Sequence, residues 1–306
     1  MQPLTIAIGT YGLTKPLKDA EVRPERIALD FKAVEPITSA MRRMVRGLEF
    51  DVCEMAFTTY LCAKALGKPI TAIPVFVTRN FHHWAAFYNV KSGIRTPKDL
   101  EGRRVAVNRG YTVTTGLWVR GILQSEYGVD LGKIIWVPTD VEHVAEYKSP
   151  SNVDLSCIGK TMADLLLTGN CDAAVGDVRL DSPDVKPLIP GAREAGFAYF
   201  RKTGIYPVNH GIVVKDSVLK SNPAVAPDLF AAFTAAKTLY LDHLRSAKDL
   251  TPADETAIAL GRVVGGDPFP LGLAANRNAI EAIVRFAVEQ MVIPKPFAPQ
   301  EIFAAV

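Results

Sequence analysis

The sequence predicts an α/β protein of two lobes, the second inserted into the first. Short apolar runs bounded by turn residues alternate with helical segments, the pattern of a mostly parallel sheet flanked by helices. Mid-chain, an apolar strand runs into a Gly- and Thr-rich turn that opens a helix, as in units that hold ligands at the carboxyl ends of strands. A late apolar run, after a Pro-rich stretch, reads as a strand returning to the first lobe. With 306 residues the chain can fill two ordinary cores. The expected division is 1–90 for the first part of lobe 1, 91–205 for lobe 2, and 206–306 for the return strand and C-terminal helices, with crossings near 89–93 and 200–207. Lobes joined in this way close on a ligand held in a cleft between them.

Leu4 to Ile8 is apolar and reads as the first strand, and 35–48 (EPITSAMRRMVRGL) has the spacing of an amphipathic helix. Phe50 to Met55 is a second strand. It leads into a helix over Thr58 to Leu66, with Thr58 and Thr59 where an N-cap belongs. Ile70 to Val77 and Trp84 to Asn89 are strands separated by a polar break that contains Arg79, His82 and His83. Lobe 2 then supplies strands over Arg104 to Val107, Ile134 to Val137 and Ala173 to Val175, with helices from about Leu117 and over Thr161 to Thr168. Pro183 to Pro190 is a surface stretch, Ile205 to Val214 is the returning strand, and the chain is mainly helical from about Pro223.

Charged residues at 22% and hydrophobic ones at 48% describe a folded globular chain and exclude disorder and fibres. The net charge of +3 is scattered, so there is no footprint for nucleic acid. No apolar run reaches the roughly 18 residues of a membrane span. Met1 to Gly9 enters a strand without a basic or apolar leader, which points to a cytoplasmic protein. Cys53, Cys62, Cys157 and Cys171 form no C-x-x-C pair, so buried reduced thiols are expected.

The turn at 108–116 (NRGYTVTTG) presents backbone N–H groups, the positive end of a helix dipole, three threonine hydroxyls and a guanidinium. It matches neither nucleotide-binding glycine pattern, so a small carboxylate, sulfonate or phosphate fits better than a nucleotide. The same residues would also serve as an ordinary Gly-rich N-cap.

The strings at 11–17 (YGLTKPL), 49–61 (EFDVCEMAFTTYL), 81–83 (FHH) and 107–116 (VNRGYTVTTG) closely resemble the 4,5-dihydroxyphthalate decarboxylase family. The strings at 129–131 (VDL), 142–147 (EHVAEY), 206–210 (YPVNH) and 267–270 (DPFP) carry the likeness across nearly the whole chain. The resemblance implies the two-lobed fold of type II periplasmic solute-binding proteins, used here as a cytoplasmic enzyme. It also implies non-oxidative loss of one carboxylate from a dihydroxylated aromatic dicarboxylate, giving 3,4-dihydroxybenzoate and CO2. A non-catalytic cytoplasmic binder of an aromatic acid is the alternative.

Such chemistry needs an anchor for the anion and a proton donor for the ring carbon that loses CO2. Each carboxylate of that substrate has a hydroxyl para to it, which supplies the electronic push, so no cofactor or metal is required. Histidine is the natural acid, and there are five. His82 and His83 lie in the break between strands, where an extended backbone would aim no more than one of them at a ligand. His210 stands at the mouth of the returning strand. His143, beside Glu142, is either a carboxylate-oriented base or half of a surface ion pair, and His243 lies on a surface-like helix. Glu54 and Glu142 are the carboxylic alternatives. Arg109 is the leading anchor because a guanidinium grips a carboxylate with two hydrogen bonds. Thr112, Thr114 and Thr115 would add donors, as would Thr58, Thr59, Arg79 and Lys15. The expected partner is a small aromatic carboxylate, with a homo-oligomer possible.

Overall fold

A computed structural model describes residues 2–177, 180 and 182–306. The strands are β1 (Leu4–Ala7), β2 (Leu29–Phe31), β3 (Val52–Ala56), β4 (Ile70–Arg79), β5 (Ala86–Asn89), β6 (Arg104–Val107), β7 (Ile135–Pro138), β8 (Ala173–Val175), β9 (Val185–Pro187) and β10 (Val208–Lys215). The helices are α1 (Lys15–Lys18), α2 (Ile37–Gly47), α3 (Phe57–Ala65), α4 (Thr114–Tyr127), α5 (Met162–Leu167), α6 (Ala192–Thr203), α7 (Asp216–Ser221), α8 (Val225–Ser246), α9 (Pro252–Val264), α10 (Arg277–Glu289) and α11 (Pro299–Ile302). Among the described residues no helix is long and apolar enough to cross a membrane.

The chain divides into two compact units. Unit 1 holds 1–79, 208–280 and 297–306, and unit 2 holds 80–207 and 281–296. The crossings therefore fall at 79/80 and 207/208 rather than at 90/91 and 205/206. Strand β5 accounts for the first difference, because it pairs with β8 and β9 of unit 2 and not with the sheet of unit 1. A further return of the chain, over 281–296, was not foreseen. Its tie is Gln290, whose side chain is hydrogen-bonded to Arg120 and Leu117 of α4.

The sheet of unit 1 has the order β2-β1-β3-β10-β4. Strand β1 is parallel to β2 and β3, whereas β10 runs antiparallel to both β3 and β4. Unit 2 repeats this mixed design in the order β7-β6-β8-β5-β9, with β6 parallel to its neighbours and β5 antiparallel to its own. Each sheet is thus a parallel core completed by antiparallel strands.

Local sequence explains most boundaries. In α2 the buried residues Ala40, Met41, Met44 and Val45 recur at helical spacing, while Arg43 and Arg46 are exposed on the opposite side. Helix α3 is capped at Ala56, so Thr58 and Thr59 fall inside its first turn instead of serving as caps. Helix α4 starts at Thr114, earlier than expected, with Val113 as its N-cap. The core of unit 1 packs Ile6, Val52, Ile73, Val75, Ile212 and Val214 of the sheet against Leu229, Phe233 and Ala236 of α8. In unit 2, Ala106, Val137 and Ala174 pack against Met162, Leu165, Leu166, Cys157 and Cys171. All four cysteines are buried free thiols.

Candidate active site

Strand β3 is buried along its whole length, yet its middle residue is the carboxylate Glu54. A buried charge is costly unless it is fully hydrogen-bonded. Strand register explains how the partners reach it. In the ladder between β3 and β10, Ile212 lies opposite Glu54 and His210 opposite Ala56. Because alternate residues share a face, His210 is the diagonal neighbour of Glu54. Its Nδ1 lies 2.6 Å from Glu54 Oε1. On its other side β10 shifts register against β4 around His210, a bulge of the kind that re-aims side chains.

The remaining partners come from the turn after β1, which runs parallel to β3 and so ends at the same edge. Tyr11 donates its hydroxyl to Glu54 Oε1 at 2.7 Å, and the Gly9 N–H donates to Oε2 at 2.8 Å. Thr14 locks this turn by accepting from the Tyr11 N–H and donating to the Gly9 carbonyl, both at 2.8 Å. Gly9 is required here, since a Cβ at that position would stand 2.5 Å from the Tyr11 hydroxyl. Burial, and then the neighbouring Glu54 carboxylate, push the Tyr11 phenol far above its ordinary pKa. Tyr11 is therefore a neutral donor. The side chain of Glu54 is wholly buried, while Tyr11 is half-buried and 17% of the His210 side chain is exposed.

Helix α3 begins where β3 ends, and Thr58 and Thr59 are fully buried in its first turn. The Thr59 hydroxyl has no hydrogen-bond partner. Two other expected ligands of unit 1 are engaged elsewhere. Lys15 is exposed and pairs with Asp19 one turn along α1. Arg79 donates to the Pro270 carbonyl at 3.0 Å and to the Asn276 side chain, and lies over the Phe76 ring. That makes Lys15 a surface pair and Arg79 a tie between β4 and the 270–276 segment.

In unit 2 the turn at 108–112 does hold an anion, and the anion is the protein's own Glu142. Its carboxylate accepts from the Tyr111 N–H at 2.5 Å and from the Thr112 hydroxyl at 2.6 Å, with the Thr112 N–H at 3.2 Å. Gly110 makes room for it, because a Cβ there would lie 2.5 Å from Glu142 Oε2. Burial raises the Glu142 pKa against these hydrogen bonds. Thr112 is thus committed internally, contrary to the expectation of a ligand donor, and the Glu142 carboxylate is committed to this turn rather than to a surface ion pair. Beneath it, the fully buried Arg120 donates to the Tyr111 carbonyl at 2.6 Å and to Gln290 at 2.7 Å, with its guanidinium 3.9 Å above the centre of the Tyr111 ring.

Arg109 adopts a left-handed backbone at φ +63°, rare for a side chain of its size. Thr139 pins it there, since the Arg109 N–H donates to Thr139 Oγ1 and the Arg109 carbonyl accepts from the Thr139 N–H. Thr114 is buried and Thr115 half-buried at the start of α4.

His82 and His83 lie in a 3-10 turn over His82–Ala85, not in an extended break, and both are buried. The His82 ring stacks on Trp118, and His83 Nε2 lies 3.0 Å from Glu126 Oε2. Burial lowers the His83 pKa, with Glu126 opposing the shift. His143 is buried, and His243 stacks on Tyr240 of α8. Among the described residues no group of three or more His, Cys, Asp or Glu side chains could hold a metal ion.

Of the expected catalytic histidines, His210 alone among those described is seen with a carboxylate on Nδ1 and a partly exposed side chain. The roles of Tyr11, Gly9 and Arg120 were not foreseen from the sequence. The available signal was an acid set inside an otherwise apolar strand, since such a charge requires partners nearby.

The chain matches the NMT1/THI5-like family model over residues 29–244. It is 29% identical to a 4,5-dihydroxyphthalate decarboxylase of Comamonas testosteroni, over 98% of this chain and 96% of that one. A 4,5-dihydroxyphthalate decarboxylase of Pseudomonas putida is 30% identical over 56% of this chain and 69% of its own length. Among solved structures, the periplasmic aliphatic sulphonate binding protein SsuA of Escherichia coli superposes with a TM-score of 0.56 at 15% identity, covering 99% and 98% of the two chains. The desulfurization enzyme DszB gives 0.56 at 14% identity, over 99% and 96%. One is a binding protein and the other an enzyme, so this periplasmic-binding-protein-like fold does not by itself choose a function. The match over most of its length shows that the chain belongs to the NMT1/THI5-like family, and these two relatives show that it belongs to the family of 4,5-dihydroxyphthalate decarboxylases.

Proposed function

We propose that this chain is a carboxy-lyase that converts 4,5-dihydroxyphthalate to 3,4-dihydroxybenzoate and CO2, with His210 as the proton donor. The observation that carries the reading is the pairing of His210 Nδ1 with buried Glu54, in a chain similar over 98% of its length to a decarboxylase. Glu54 fixes the imidazole by accepting its Nδ1 proton, which leaves Nε2–H as the edge that meets substrate. The para hydroxyl, as phenolate, pushes electron density onto the ring carbon bearing the departing carboxylate. That carbon takes the Nε2 proton, the bond to the carboxylate breaks, and its electron pair restores the aromatic ring as CO2 leaves. Histidine is then neutral and regains a proton from solvent through its exposed edge. Bound as its phenolate the substrate is a trianion, and with the one proton from His210 it gives CO2 and the carboxylate–phenolate dianion of the product, which takes a proton from solvent on release.

The retained carboxylate is assigned to the start of α3, where the unpartnered Thr59 hydroxyl and the helix dipole favour an anion. A reducing, cytoplasmic setting belongs to the same proposal and is supported by the four buried thiols. The test is turnover in D2O. One deuterium should appear in the product at the carbon that carried the lost carboxylate, and its formation should fail in His210→Asn. Product formed at the wild-type rate by that variant would remove His210 from the mechanism.

A further inference from the structure

We infer that Tyr11 is a positioning residue that sets the proton affinity of His210 through the carboxylate they share. Both donors converge on one oxygen, Glu54 Oε1, with the phenol at 2.7 Å and the imidazole nitrogen at 2.6 Å. A carboxylate oxygen that already accepts a phenol proton carries less charge toward its second partner, so it holds an imidazolium less strongly. The coupling runs one way, because burial and the Glu54 charge keep the phenol neutral and able only to donate. Tyr11 cannot readily swing away. Thr14 fixes its backbone on one side, and its ring packs over Gly9 on the other.

The surrounding charged groups do not offer a rival control. On β3 the neighbouring titratable side chain is Cys53, which strand alternation sends to the opposite face from Glu54. From the segment after β2, Glu35 acts on Tyr11 and only reinforces its neutrality. On β4 the Arg79 guanidinium is bound to Pro270 and Asn276, and at the far end of β10 Lys215 pairs with Asp51 at 3.1 Å. Helix α3 contributes threonines at this end and no acidic side chain in its first turn, and its Tyr60 phenol is held neutral by burial. The inference uses the reading of His210 as proton donor for its kinetic consequence, whereas the hydrogen-bond coupling stands apart from it.

The experiment is an NMR titration of the His210 imidazole in the whole protein, assigned by its disappearance in His210→Asn, for wild type, Tyr11→Phe and Glu54→Gln. Removing the phenol oxygen should move the His210 titration upward, and removing the Glu54 charge should move it downward. The alkaline limb of kcat/KM should move with it. An unmoved or lowered titration in Tyr11→Phe overturns the inference, and this one-atom change decides alone where Glu54→Gln does not fold. If the titration moves but the rate profile does not follow, the coupling stands and His210 is not the proton donor.

Discussion

His210 and Glu54 differ in what each contributes, and single substitutions separate the two. Replacing His210 with Asn keeps polarity at the mouth of β10 but removes the imidazole that can donate a proton. Because the proton reaches the ring only in the transition state, kcat should fall by about 10²- to 10⁴-fold while affinity for a non-reactive phthalate analogue changes little. Single-turnover rates and equilibrium binding check both halves, and equal losses in the two would mean His210 serves binding alone. The sequence named His210, at the mouth of a returning strand, as one of four candidate acids with His82, His83 and His143. It did not separate His210 from His82 and His83, because the break between two apolar runs can be an extended link or a tight helical turn. The turn won, and it buries both rings. Glu54 was legible as an acid in an apolar strand, but its partnership with Tyr11 spans 43 residues and depends on β1 lying beside β3.

At the scale of the element, the donors of the turn before α4 are occupied by a carboxylate of the protein itself. The sequence marked an anion site, and the anion present is Glu142, supplied by a segment 30 residues further on. Glu142→Ala leaves the Tyr111 and Thr112 donors without their acceptor, so the protein should lose about 1–3 kcal/mol of stability. A urea midpoint equal to that of wild type would show the contact to be dispensable. Arg109 is pinned in its left-handed conformation by Thr139, and its role as a carboxylate anchor is the proposal that the sequence suggests. Arg109→Ala should weaken binding of an aromatic carboxylate roughly tenfold to a hundredfold, measured by calorimetry, with little change in unfolding. The 3-10 turn carries a pH signature. Burial lowers the His83 pKa, so the unfolded chain takes up this proton first as pH falls below about 6.5. Stability is therefore lost from that pH downward to the lowered folded value. His83→Gln should flatten the fall of the urea midpoint between pH 7 and pH 5.5, and an identical fall in both proteins would contradict the assigned cause. Strand β5 escaped exact prediction for a related reason: Trp84 and Ala85 continue an apolar run, and only the 3-10 turn moves them out of the strand.

Across the whole molecule, the alternation of apolar runs and helices was enough to read a two-unit α/β chain with a returning strand. What it could not give was strand direction and the last crossing. Both β5 and β10 pair antiparallel, and residues 281–296 return to unit 2 within the continuous helix α10, where no loop marks the change. The same scale holds the central claim, that a binding-protein fold here performs a decarboxylation whose driving push comes from the substrate's own para hydroxyl. Purified protein treated exhaustively with a chelator and incubated with 4,5-dihydroxyphthalate tests it most directly, by following CO2 and the aromatic product together. The account predicts CO2 and 3,4-dihydroxybenzoate in equal amounts, at the rate of the untreated protein. Substrate that binds and is recovered unchanged would contradict the enzyme assignment, and activity lost to the chelator and restored by a divalent ion would contradict the mechanism.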